Sequence, residues 1–194
     1  VPATAFKLVR AVFLTIDSAK VSGVALAEPR LDARAALRGY ECESFGLVKN
    51  QLQREAWIEE ALDVARDYDM PLVVVGEEWT SHGLSRSAYK SLNESWGLWM
   101  AALERQKKPS DRVHVARVSP QTWRSKVFGK SRPKTRDGLK KLAVVYAQRV
   151  LKTPPQLSDD IAEAMCLRVW AERAVEVHEL LEVKKLRTRK RKAA

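Results

Sequence analysis

Residues Pro71 to Val75 form a short, unbroken apolar run that ends on Gly76-Glu77-Glu78. A strand this apolar must be buried on both faces, as in the middle of a parallel sheet. That demands helices on each side of the sheet. It also delivers Glu77 and Glu78 to the strand's carboxyl end, where open α/β sheets gather their ligand-binding and catalytic groups.

The rest of the chain supplies such a sheet and its helices. Lys7 to Ile16 reads as a strand, with Val12, Leu14 and Ile16 alternating. A turn at Ser18-Ala19-Lys20 leads into a second strand, Val21 to Ala27, so the two form a hairpin. Tyr40 to Val48 is a third strand. Asn50 then caps a helix over about 51–68, whose apolar stripe is Leu52, Ile58, Leu62 and Ala65. After the Pro71–Val75 strand, residues 79–90 read as a loop. A helix follows over about 92–107, then a strand at Arg112–Val118 and a basic amphipathic helix at Lys134–Leu151. Pro154-Pro155 breaks that helix. Ser158 caps a last one, predicted to run to about residue 183. The order β-β-β-α-β-α-β-α-α predicts one mixed sheet flanked by helices, in the α/β class. One domain over 1–183 and a basic tail over 184–194 account for the chain.

Composition narrows the function classes. Hydrophobic residues make up 45% of the 194, which excludes a disordered chain. No apolar run approaches the ~20 residues of a membrane span. Lys7 and Arg10 precede an apolar stretch, but it is too short for a signal peptide and runs into Asp17. The two cysteines, Cys42 and Cys166, exclude a disulfide scaffold and a CxxC zinc site, so a reducing, cytoplasmic setting is expected. Net charge is +11, but unevenly spread. Residues 105–141 hold 13 Lys/Arg against two Asp/Glu, and 184–192 hold seven Lys/Arg and no acid. An acidic body therefore carries two basic stretches. The stretch at 105–141, with Trp123 and Phe128 inside it, favours a nucleic-acid partner; the tail fits a phosphate-gripping arm or a solvated end equally well.

Against that basic stretch stand carboxylates at element ends. Asp17 closes the first strand. Glu77 and Glu78 close the apolar one, and alternation lets only one of them share a face with Asp17. Asp160 and Glu163 lie one turn apart on the last helix. Clustered carboxylates repel one another unless cations neutralise them. Hard ions such as Mg²⁺ take oxygen ligands, and a pair about 3.5–4 Å apart can serve a phosphodiester. The same residues have plainer roles open to them: a turn residue at Asp17, a solvated edge at Glu77-Glu78, a helix-dipole partner at Asp160.

Four segments resemble the RuvC-type Holliday-junction resolvases of the RNase H-like nuclease group. They are Leu14-Thr15-Ile16-Asp17-Ser18 with the following Val21–Leu26; Val73 to Glu78; Val118-Ser119-Pro120-Gln121-Thr122-Trp123-Arg124 with Gly129 and Lys134; and Asp160-Ile161-Ala162-Glu163-Ala164-Met165. The resemblance implies a five-stranded RNase H-like sheet, and possession of a metal set made of Asp17, Glu77, Asp160 and Glu163. It implies two Mg²⁺ ions, replaceable by Mn²⁺, and a homodimer that nicks opposing strands of a four-way DNA junction. The products would carry 5′-phosphate and 3′-hydroxyl ends. Arg124 and Lys134 match basic residues that contact junction phosphates; Lys126, Lys130, Arg132, Lys140 and Lys141 extend that surface. A bacterial or phage-infected cell is the setting such a protein implies. Two positions depart from the family pattern. Glu163 stands where the family has Asp, and Thr80 stands where it has a base-wedging aromatic, leaving Trp79 as the nearest candidate wedge. The alternatives are a protein that binds branched or single-stranded nucleic acid without cutting it, or the same fold acting on flaps, forks or RNA–DNA hybrids.

Other motifs carry less. Gly129-Lys130-Ser131 imitates the end of a P-loop, but Arg124 stands where that loop needs glycine, so no nucleotide cofactor is implied. His82, His114 and His178 are not spaced as metal ligands; His82, near Glu77, is the one that could approach the site. No Gly-x-Ser-x-Gly elbow is present. Trp96, Trp99 and Leu103 recur at helical spacing and read as core or interface.

Overall fold

The computed structural model describes residues 10–18, 21–31, 37–80, 84–153 and 155–174, with side chains left aside at 37–43. His82, His178, the side chain of Cys42 and the basic tail 184–194 lie outside the described residues.

Five strands form one sheet: β1 (Val12–Asp17), β2 (Ser22–Leu31), β3 (Leu37–Val48), β4 (Leu72–Glu77) and β5 (Val113–Val118). Their order across the sheet is β3-β2-β1-β4-β5. The first three pair antiparallel, while β4 is parallel to both β1 and β5. Five helices cover it: α1 (Gln51–Asp67), α2 (Arg86–Gln106), α3 (Pro120–Phe128), α4 (Arg136–Val150) and α5 (Asp159–Ala171). The expected α/β architecture is therefore present. No helix among the described residues is long and apolar enough to cross a membrane.

Strands β1 and β4 are buried along their full length. Alternation divides their side chains between two cores. Leu14, Ile16, Val24 and Val74 pack with Ile58, Leu62, Trp99 and Leu103 of α1 and α2. Phe13, Val73 and Val75 pack with Trp123, Ala143, Cys166 and Leu167 of α3, α4 and α5. Trp96 and Trp99 thus belong to the core, and Trp99 Nε1 donates to Ser22 Oγ at 3.3 Å. His114 is buried on β5, in keeping with a structural role.

Side-chain caps set several boundaries. Asn50, Ser85, Thr135 and Ser158 each accept a backbone N–H of the first turn they precede. Ser85 starts α2 at Arg86, inside the stretch expected to be a loop. The last helix stops at Ala171 rather than near residue 183, with Glu172 as its C-cap. Helix α3 was not expected at all, although Ser119 caps it and Pro120 occupies its first turn, a recognised start signal. Gly129 ends α3 with φ of 78°, a conformation open to glycine.

Helix α5 lies directly on the β1–β2 hairpin. Thr15 Oγ1 donates to the Ala164 carbonyl at 2.8 Å, across the whole length of the domain's sequence. A Cβ on Gly23 would sit 2.0 Å from the Asp160 carbonyl oxygen. Only a bare backbone lets the first turn of α5 come this close. Gly97, by contrast, is exposed on α2 with nothing within 4 Å of a notional Cβ. Gly23→Ala is expected to lower stability by about 3 kcal/mol through overpacking, and Gly97→Ala to raise it by about 0.5–1 kcal/mol. Thermal or urea unfolding of the two variants beside the parent checks both signs.

Candidate active site

Pairing of Ile16 with Gly76 in the parallel β1–β4 ladder brings Asp17 alongside Glu77 on the α5 face of the sheet. Glu78 points the other way and is exposed. The choice that the sequence left open between the two glutamates is thus made by register. Glu163 is one turn into α5 and buried; Asp160 sits in the first turn, its carbonyl against Gly23 of β2. The four expected carboxylates come together at the carboxyl ends of β1 and β4, under the N-terminus of α5.

Burial and mutual repulsion dominate their chemistry. Asp17 is held well above the usual carboxylate range, chiefly by burial and then by the charges of Glu77, Glu163 and Asp160. Burial raises Glu77 to about 7, against the pull of Arg124 and of a hydrogen bond from Trp123. Burial also raises Glu163, again against Arg124.

Two cations and one indole hold the cluster. Arg124 Nη2 is bonded to Glu163 Oε1 and lies 3.6 Å from Glu77 Oε1. Trp123 Nε1 donates to Glu77 Oε1 at 2.7 Å. Lys140 Nζ meets Asp159 Oδ2 at 2.7 Å and Asp160 Oδ1 at 3.1 Å. Helices α3 and α4 therefore send their basic side chains inward as well as outward. Trp123, inside the basic stretch that favours a nucleic-acid partner, is fully buried and packs edge-on against Phe128. Its role as an orienting donor to Glu77 had no signal in the sequence beyond its place next to Arg124.

The remaining oxygen of Glu77, Oε2, is buried and accepts no hydrogen bond. Asp17, the carboxyl beside it, has no hydrogen to give once both are ionised. An oxygen-ligating cation fits this position: it would satisfy Oε2 and lower the cost of ionising both groups. Among the described residues no three such side chains already converge as a metal cage. Arg124 stands between two of them.

Beside the cluster opens a cleft of about 760 Å³, lined by Trp79, Arg124, Lys130, Arg132 and Lys134 among others. Trp79 is half-buried there, and its indole N–H has no partner. Lys126 and Lys141 are exposed but do not line the cleft. Lys140 is engaged with Asp159 and Asp160 rather than presented to it.

The mixed five-stranded sheet and the helices that flank it fit an RNase H-like α/β fold. The fold is that of RuvC. RuvC from Thermus thermophilus superimposes with a TM-score of 0.50 at 18% identity, covering 82% of this chain and 95% of that one. The T. thermophilus RuvC structure in complex with a Holliday junction substrate superimposes with a TM-score of 0.51 at 14% identity, covering 80% and 89%. No protein-family model matches the sequence. No curated protein matches it significantly.

The raised carboxyls make a prediction for the metal-free protein. A Glu77 protonated when folded and ionised when unfolded costs stability as pH rises from about 4.5 to about 7. The loss is about 3 kcal/mol for a shift of this size. Glu77→Gln is expected to make the slope shallower by the share of Glu77, Asp17 keeping its own, and to melt higher than the parent above pH 7 in chelator. Unfolding curves between pH 5 and 8 test it; an unchanged slope contradicts the burial argument.

Proposed function

We propose that this protein is a divalent-metal-dependent endonuclease that resolves four-way DNA junctions by paired, symmetric nicks. The observation that carries the reading is the buried carboxylate cluster at the ends of β1, β4 and α5, beside a basic cleft, in the RuvC fold. Mg²⁺, or Mn²⁺ in its place, is the ion that all-oxygen ligands of this kind would hold. When bound, such an ion supplies Lewis-acid activation of water and of the scissile phosphate.

The protein's own groups divide the remaining work. With an ion bound, Asp17 and Glu77 would ionise and present negative charge on one sheet face, and Asp160 adds a third carboxylate from the helix terminus. Trp123 fixes the rotation of Glu77, leaving Oε2 facing no donor. Lys130, Arg132 and Lys134 bind phosphates of the strand in the cleft, with affinity that falls steeply in salt. Trp79 stacks on or wedges against a base at the junction centre. In-line attack leaves a 5′-phosphate and a 3′-hydroxyl. A homodimer matches the near-twofold symmetry of a junction and sets two sites on opposing strands.

The experiment is cleavage of a labelled immobile junction in Mg²⁺ and in Mn²⁺. Symmetric paired nicks are expected, with Asp17→Asn lowering the rate at least about a hundredfold while leaving junction binding intact. Full cleavage by that variant would sink the site assignment. Tight binding without nicks would mark a non-catalytic junction-binding protein. Cutting confined to flaps, forks or RNA–DNA hybrids would keep the chemistry and change the substrate.

A further inference from the structure

Glu163 does not stand free among the other carboxylates. Its Oε1 is bonded to Arg124 Nη2, the nitrogen that also lies 3.6 Å from Glu77 Oε1. The guanidinium is backed by the Trp123 ring, 5.0 Å from its centroid. Trp123 is itself fully buried and bonded to Glu77. Two consecutive residues of α3 therefore grip the cluster together, and the stack limits where the guanidinium can go. Arginine does not release its proton in a protein, so this is a permanent positive charge between two buried carboxylates.

A second divalent ion held by Glu163 would have to displace that charge or share its ligands with it. Arg124 meanwhile also lines the cleft, and its Nε–H is buried without an acceptor. A planar fork with an unused donor suits a phosphate oxygen.

We propose that Arg124 takes the place of the second cation: the site holds one divalent ion on Asp17 and Glu77, Asp160 being engaged by Lys140, and Glu163 is a positioning residue that anchors the guanidinium toward the phosphate rather than a metal ligand. This rests on the metal-dependent reading above and specifies its stoichiometry.

Mn²⁺ titration of the full chain, counted by calorimetry and by the loss of free-ion electron paramagnetic resonance, tests it without any turnover. The parent is expected to bind one Mn²⁺. Glu163→Gln is expected to bind one with Kd changed by less than about threefold, whereas Asp17→Asn weakens Kd at least about tenfold. Arg124→Gln, which frees Glu163, is expected to gain a second, weaker Mn²⁺. Two ions in the parent, or a tenfold weaker Kd in Glu163→Gln, would overturn the proposal. No Mn²⁺ bound by the parent would instead remove the metal-dependent reading itself. The parent's stoichiometry needs no variant, so a poorly folded Glu163→Gln does not shelter the proposal.

Discussion

Helix α5 must lie flat on the β1–β2 hairpin for this site to exist. Two features make that possible: the bare backbone of Gly23 under the Asp160 carbonyl, and the Thr15 hydroxyl that reaches the Ala164 carbonyl. The helix is buried along nearly its whole length after the first turn. Ser158 marks its start, and packing rather than its own propensity holds the rest in place. Because Thr15 and Asp17 share one face of β1, the same contact that seats the helix also sets Glu163 and Asp160 above the strand ends.

Seating them there has an electrostatic cost. Asp17, Glu77 and Glu163, buried side by side, cannot all ionise unsupported. The chain answers with Arg124 from α3 and Lys140 from α4, each on the side nearest its own helix. These cations come from the stretch that gives the protein its basic surface. One segment thus serves two kinds of anion, carboxylate on the inside and, in the proposed function, phosphate on the outside. The cleft sits where those two faces of α3 and the following loop meet.

Much of the fold was legible in the sequence because strand periodicity here is strict. The apolar β4 run announced a covered sheet, and the alternation of Val12, Leu14 and Ile16 announced β1. Helix α3 was missed because a nine-residue helix with a weakly amphipathic pattern offers little periodicity. Its Ser119-Pro120 start was the one available signal. The candidate carboxylates were legible as strand-end and helix-start residues. Their partners were not. Whether Arg124 turns toward Glu163 or solvent depends on the angle at which α3 packs, and no spacing rule encodes that. Trp123 likewise read as part of a nucleic-acid surface, because a sequence shows that an aromatic lies among cations but not which side of a helix is sealed. Trp96, which fills the space a Cβ on Gly76 would need, reads from helical spacing alone as core or interface, and the structure makes it core.

Anomalous diffraction from a crystal soaked in Mn²⁺ is the most direct test of the central claim, that the β1–β4–α5 carboxylates form a cation site. The account predicts an anomalous peak within bonding distance of Asp17 and Glu77, with Arg124 still on Glu163. An ordered cluster with no peak there at saturating Mn²⁺, or a peak only elsewhere on the protein, would contradict it.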